Sequence, residues 1–309
     1  MSPDIVVVGS LNMDMVVKVK RKPDWGETVL GSNFFMSPGG KGGNQAYAAG
    51  KLGASVAMIG QVGNDVFGSQ LMQNLKKVGV DASSIGRVEN EPTGVAFITL
   101  NNDADNSIIV APGANNLVTP EYIREHKQVI CQAKLVIVQL EIPLESVIEV
   151  AKIAKINNIP FMLDPAPARV LPDELYGMVD YIIPNESEIS EITNIKVSDV
   201  RSAKIASVEL LRKGVNTVFS KLGAKGVVVT NANRTFTIDG YATQVVDTTA
   251  AGDAFAGALA TALVSGKDIW SATQFANAVG AITVTRSGAQ SSMPDMEETL
   301  QFMKRFTQL

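Results

Sequence analysis

The sequence predicts an α/β protein: a mostly parallel central sheet with helices on both faces, a three-layer α/β/α arrangement of Rossmann-like kind. Three observations carry this expectation. Short, continuous apolar runs alternate with helical patterns along the 309 residues, and strands buried on both faces read as such runs. Polar residues stand directly after several of these runs, where the ligands of an open parallel sheet bind. No low-complexity linker and no fixed-period repeat divides the chain, so 1–309 reads as one domain.

Taken in order, apolar runs predict strands at 5–8, 56–59, 135–140, 160–163, 181–183, 217–221 and 226–230. Helical patterns predict helices at 44–51, 67–78, 144–156, 200–213, 252–264, 269–283 and 296–306. Two stretches break the alternation. One spans about 13–38, with Val16, Val17 and Val19 followed by 28–35. The other spans about 93–111, where Gly-Val-Ala-Phe-Ile-Thr-Leu, an Asn-Asn-Asp-Ala-Asp-Asn turn and Ser-Ile-Ile-Val have the composition of a hairpin. Together they suggest a small second sheet, or else edge strands of the first.

Composition narrows the chemistry. Hydrophobic content of 46% and charged content of 19% describe a soluble globular protein. The formal net charge of −4, with dispersed Lys and Arg, argues against a nucleic-acid footprint. No apolar run reaches the length of a membrane span and the first residues lack a signal-peptide pattern, so a cytoplasmic location is expected. One cysteine, Cys131, excludes an internal disulfide and Cys-rich zinc sites, and reads as a small buried apolar residue. One histidine, His126, lies in a charged segment that reads as a solvated helix face. Catalysis must therefore use Asp, Glu, Lys, Asn, backbone amides and bound ions.

The most informative segment is Asp247-Thr-Thr-Ala-Ala-Gly252-Asp253-Ala-Phe. It follows an apolar stretch, 241–246, read as a strand end, and runs into a helix of small residues. Ala250, Ala251 and Gly252 thus fall where free N–H groups gather at a helix N-terminus, a seat for an anion. Asp253 places a carboxylate beside that seat, suited to accept a proton from a hydroxyl attacking phosphorus; a helix-capping Asp is the plainer alternative. The segment Gly39-Gly-Lys-Gly-Gly43 is neither a Walker A loop nor a dinucleotide fingerprint. Its glycines would let backbone approach a small ligand, with Lys41 and Asn44 as donors, or would only make a tight turn. Further polar residues at the ends of runs are Asn12, Asp14, Glu141, Asp164, Asn185, Glu188, Gly223 and Asp247. Asn185 and Glu188 also have capping-box spacing.

Four motifs, Gly9-Ser-Leu-Asn12-Met-Asp14, Pro38-Gly-Gly-Lys-Gly-Gly-Asn-Gln-Ala46, Pro184-Asn-Glu-Ser-Glu188 and the Asp247–Asp253 segment, resemble the ribokinase family of carbohydrate and nucleoside kinases. The resemblance covers nearly the whole chain. It implies that the small sheet is a lid, that a homodimer forms through it, and that ATP phosphorylates a sugar hydroxyl. Within the resemblance the Asn-x-Asp spacing favours D-ribose, phosphorylated at O5, over 2-deoxyribose; fructose or a nucleoside stay open as alternative acceptors. The resemblance assigns Asn12, Asp14, Gly40, Lys41, Asn44 and Glu141 to the sugar. Asp253 becomes the base, with Ala250, Ala251 and Gly252 as anion hole. ATP would be held by Asn185, Lys221, Leu222, Gly223, Ala224, Lys225, Gly226, Gly252 and Asn277; the family often has His at the last position. Glu188 would serve Mg²⁺ through water. Asp247, Thr249, Thr283, Arg286, Gly288 and Ser292 would wrap a monovalent cation, K⁺ being the expected ion.

Overall fold

A computed structural model describes residues 2–101 and 106–307. Its strands are β1 (Ile5–Val8), β2 (Asn12–Lys18), β3 (Ser32–Gly39), β4 (Val56–Gly63), β5 (Ile85–Val88), β6 (Gly94–Leu100), β7 (Asn106–Ala111), β8 (Leu135–Val138), β9 (Phe161–Leu163), β10 (Tyr181–Ile182), β11 (Thr217–Lys221), β12 (Val227–Asn231) and β13 (Thr235–Ile238). Among the described residues, nine of these strands form one sheet in the order β13-β12-β11-β10-β9-β8-β1-β4-β5. From β11 through to β5 every pairing is parallel; β12 and β13 add an antiparallel edge.

The apolar runs account for this sheet. All four residues of β1 are fully buried, and they alternate between two hydrophobic layers. Ile5 and Val7 pack with Ala256, Leu259 and Phe275, while Val6 and Val8 face the layer that holds Val147 and Val150. Side chains alternate across a strand, so only a strand covered on both sides is apolar throughout. Each such Val or Ile contributes about 1.5–3 kcal/mol on burial.

The two irregular stretches pair with each other rather than with the main sheet. They form a four-stranded sheet in the order β3-β2-β6-β7, with β2 and β6 parallel and the outer pairs antiparallel. The hairpin composition of 93–111 is realised as β6 and β7; the centre of its Asn/Asp turn, 102–105, lies outside the described residues.

Several expectations need correction. The stretch 241–246 is not a strand end. The main sheet finishes at β13, and Val245 and Val246 are exposed. Instead the amides of Val246 and Asp247 both donate to the Val284 carbonyl, at 2.8 and 3.2 Å, tying the segment to the end of the Ile269–Thr283 helix. The first helix begins at Lys41, not Asn44, and runs to Lys51. The structure adds two edge strands to those expected, β5 and β13, each only four residues long and partly exposed. Cys131 is half-buried rather than enclosed. His126 joins two short helices, its Nδ1 2.9 Å from the Tyr122 carbonyl. No described helix is long and apolar enough to cross a membrane.

Candidate active site

The carboxyl ends of β9, β10 and β11 open onto a cavity of about 940 Å³. Asp164, Asn185, Lys221 and Gly223 line it at or just beyond the ends of those strands, while Glu188, Gly252, Asp253 and Asn277 line it from helices. The strand-end residues thus converge as a parallel sheet requires. Lys41 also lines this cavity, and its backbone amide donates to Glu141 Oε2 at 3.1 Å, bringing Glu141 alongside.

The Lys41–Lys51 helix starts where it does because glycine permits a close approach. Gly40, its N-cap, has φ of 81°, and a Cβ there would lie 2.6 Å from the Asn12 nitrogen. At Gly42 a Cβ would lie 2.7 Å from Gly9 and Ser10 backbone atoms. The glycines therefore let the helix press onto the β1–β2 turn.

The same contact gathers the carboxylates. Asp14 is buried, and burial, with Glu141 and Asp253 nearby, pushes its carboxyl up to about 7. Asn12 is buried, and its Oδ1 accepts from Asn115 Nδ2 at 2.8 Å. That leaves the NH₂ end of Asn12 for a ligand, beside the acceptor oxygens of Asp14. Glu141 also accepts a short hydrogen bond from the Ser10 hydroxyl. Burial opposes the charge of Lys41, but Asp253, Asp164, Glu141 and Glu188 together raise its ammonium above the usual range.

Asp253 lies in the first turn of the Ala251–Val264 helix, yet it does not cap that helix. The N-cap, Ala250, makes no side-chain capping bond and holds the left-handed conformation, φ 57°. Asp253 turns instead towards the Lys41–Lys51 helix. Asn44 Nδ2 donates to its Oδ2 at 2.8 Å, and Gln45 Nε2 to its Oδ1 at 3.3 Å. Burial raises its carboxyl to about 6, against the lowering effect of Lys41 and with Asp164 adding to the rise. The helical ladder begins with Ala254 N–H on the Ala250 carbonyl, at 2.8 Å. The Ala251 amide closes a turn on the Thr248 carbonyl at 3.3 Å, so Gly252 and Asp253 carry the amides ahead of the ladder. A left-handed residue before a helix start makes a concave amide nest suited to an anion.

Asn185 and Glu188 do form the reciprocal capping box, and they line the cavity as well. Both Glu188 oxygens accept from Asn185, its amide and its Nδ2, at 2.7 Å each. Burial raises the Glu188 carboxyl, with Lys221 opposing and Asp164 reinforcing. In the β11–β12 hairpin, Lys221, Gly223, Ala224 and Gly226 line the cavity. Leu222 is packed into the core, and Lys225 is drawn off to Glu186 at 3.1 Å and to the Ser198 carbonyl at 2.7 Å. Asn277 lines the cavity with its Nδ2 on the Asp239 carbonyl at 2.8 Å.

The residues expected around a monovalent cation occupy two joined loops. Asp247 accepts from Thr249 N and Oγ1 with one oxygen, at 2.9 and 2.6 Å, and from Gly288 N with the other, at 2.9 Å. Thr283 and Ser292 are fully buried, each with its hydroxyl on a nearby backbone carbonyl. Arg286 pairs with Glu298. Among the described residues no group of three His, Cys, Asp or Glu side chains is disposed to hold a metal.

Asp164, expected at the binding edge only as a strand-end residue, touches Gln45 at 2.7 Å and pairs with Lys221 at 3.4 Å. Gln45, Gln290 and Asn115 had no expected role: Gln290 Nε2 donates to Asn44 Oδ1 at 3.0 Å, and Asn115 Nδ2 donates to Asn12 Oδ1. For this group the available signal is Gln139, a polar residue inside a buried apolar run.

The profile of the pfkB family carbohydrate kinases matches residues 2–296. A ribokinase of Haemophilus influenzae is 42% identical over 98% of this chain and 99% of its own. A deoxyribokinase of Salmonella typhi is 33% identical over 97% of this chain and 98% of its own. The structure of Arabidopsis thaliana ribokinase complexed with ribose and ATP superposes with a TM-score of 0.93 at 36% identity, covering 98% of this chain and 99% of that one.

Proposed function

This chain belongs to the pfkB family of carbohydrate kinases and phosphorylates ribose with ATP, and we propose that O5 of D-ribose receives the γ-phosphoryl group, with ADP as the other product. One observation carries the proposal: a buried carboxylate, Asp253, held from two sides by Asn44 and Gln45, stands beside an uncapped helix start at the cavity.

Ribose binds through Asn12, Asp14, Gly40, Lys41, Asn44 and Glu141. The pairing of an amide NH₂ with a carboxylate suits neighbouring hydroxyls, and a sugar lacking one leaves a buried polar group unpaired. ATP lies along the cavity against Asn185, the β11–β12 hairpin and Asn277. Asp253 accepts the proton of the primary hydroxyl as it attacks phosphorus, while the amides of Ala250, Gly252 and Asp253 and the Lys41 ammonium stabilise charge on the group in transit; the Ala251 amide, expected in the anion hole, is already taken by the Thr248 carbonyl. The loose character of such transition states makes positioning the larger contribution.

Glu188, whose oxygens are already engaged by Asn185, suits a water-mediated rather than direct hold on the Mg²⁺ that accompanies ATP. That ion would neutralise phosphate charge. The joined loops at 247–249 and 283–292 suit a monovalent cation, K⁺ in our reading, held by carbonyl oxygens and Asp247, whose effect would be to order the amides above it.

The β3-β2-β6-β7 sheet is read as a lid over the sugar, built from segments 13–38 and 93–111. A cross-strand row, Met36–Met15–Phe97–Ile109, runs across one of its faces, and Met36, Phe97 and Ile109 are exposed. An apolar row of this kind favours cover by a second copy, hence a homodimer. A cytoplasmic location fits the use of ATP.

The test is ADP release coupled to an indicator reaction, across pentoses and hexoses, with and without K⁺. D-ribose is expected to be the fastest acceptor and K⁺ to raise the rate. A preference for 2-deoxyribose would overturn the roles of Asn12 and Asp14.

A further inference from the structure

Two buried glutamines behind the reacting carboxylate are used by no step above. Gln45 and Gln139 are both fully buried. Gln139 Nε2 donates to Gln45 Oε1 at 2.7 Å. The NH₂ of Gln45 then divides between two carboxylates, Asp164 Oδ2 at 2.7 Å and Asp253 Oδ1 at 3.3 Å. Asp164 passes the connection on to Lys221 at 3.4 Å, on the nucleotide side of the cavity.

The direction of this relay is dictated by charge. Two carboxylates can only accept while ionised, so Gln45 must present its NH₂ to them and its carbonyl to Gln139. Gln139 must then present its own NH₂ to Gln45. Its carbonyl oxygen is left at the far end of the chain, and it is a buried atom with no hydrogen-bond partner among the described residues. That oxygen abuts Gly9, where a Cβ would sit 2.0 Å from it. An unpaired buried carbonyl carries an uncompensated desolvation cost, and an apolar residue at 139 would avoid it. A fold that retains it is using the donor at the other end.

We propose that Gln45, oriented by Gln139, is a positioning residue for phosphoryl transfer: it separates Asp164 from Asp253 and aims the Asp253 carboxylate at the acceptor hydroxyl. The inference rests on Asp253 being the base. Asp253 is also faced by Lys41, Asp164 and Glu141, and it in turn acts on Asp14. Gln45 is a second neutral donor to Asp253 beside Asn44, so its loss removes one of two side-chain bonds to the ionised form and moves the acid limb of kcat to higher pH.

The experiment compares Gln45→Met, Gln139→Met, the double variant and Asp253→Asn in the full-length enzyme, with kcat, KM for D-ribose, pH profiles and melting temperatures. Gln45→Met is expected to lower kcat roughly 10- to 100-fold, the scale of a misplaced reacting group. KM should change little and the acid limb should move upward. Gln139→Met should act in the same direction but less. The double variant should match Gln45→Met, because Gln139 works only through Gln45. A change confined to melting temperature, or additive losses in the double variant, overturns the proposal. If Asp253→Asn keeps activity, the reading of the base itself fails; if it loses activity while Gln45→Met does not, only the relay fails.

Discussion

Two helix starts meet at the cavity, and they are finished differently. At the Lys41–Lys51 helix the early amides are all occupied by protein: Lys41 N–H on Glu141, Gly42 N–H on the Ser10 hydroxyl at 3.4 Å, and Gly43 N–H on the Ser10 carbonyl at 2.9 Å. At the Ala251–Val264 helix the N-cap is an alanine with no side-chain bond, and the carboxylate of the first turn points elsewhere. Both helices carry the same dipole. One is answered by a resident anion, Glu141, which also repels a second. The other is left open. In the proposed reading the contrast separates sugar side from phosphate side: the capped start would bring carboxylates to hydroxyls and the uncapped one amides to phosphate.

The sharpest way to break this comparison is Asp253→Asn. It leaves the helix start intact and removes the proposed proton acceptor, so kcat should fall roughly 10²- to 10⁴-fold with the fold retained. Initial rates together with a melting curve decide it, and full activity in a folded protein would end the base assignment. Next in size is Glu141→Gln, on the capped side. Losing a charged acceptor should raise KM for D-ribose roughly 10- to 100-fold and change kcat less. An unchanged KM would mean that Glu141 only caps its helix.

A third prediction concerns pH. Asp14 is raised to about 7 and Asp253 to about 6, from a usual 3.8. Between about 4 and 7 the folded chain therefore binds more protons than the unfolded chain, so stability falls as pH rises through that window. The melting temperature of the ligand-free protein should rise on acidification from pH 8 towards 6, and Asp14→Asn and Asp253→Asn should each flatten that slope. A slope unchanged by both variants would contradict the burial of these charges. The smallest effect is expected from Ala250→Gly. Left-handed alanine is strained, and glycine relieves it at some entropic cost, so the gain should stay within about 1 kcal/mol in a denaturant titration. A marked loss of stability would show that the methyl group packs rather than strains.

Sequence alone determined what is local or periodic. Alternating apolar runs specify a parallel sheet covered on both faces, and the helices Leu144–Ile156 and Ile269–Thr283 match their patterns residue for residue. The Asn185–Glu188 capping box was legible because both partners lie within one turn. The approach of Asp14 to Glu141 and Asp253 agrees with what strand ends and motif likeness led one to expect, although Asp253 lines the cavity and Asn12 and Asp14 do not. Tertiary structure alone decided the rest. The Val245–Val246 pair has strand-like residues but no neighbouring strand to receive them, so the Val284 carbonyl takes the amides instead. The helix start at Lys41 depends on Gly9 and Ser10 being close enough to require glycine. The amides that orient the site come from far along the chain: Gln139 is 94 residues from Gln45, and Asn115 is 103 from Asn12. A side-chain amide has no period and no local partner to announce it; which carboxylate it meets is settled only when distant elements pack.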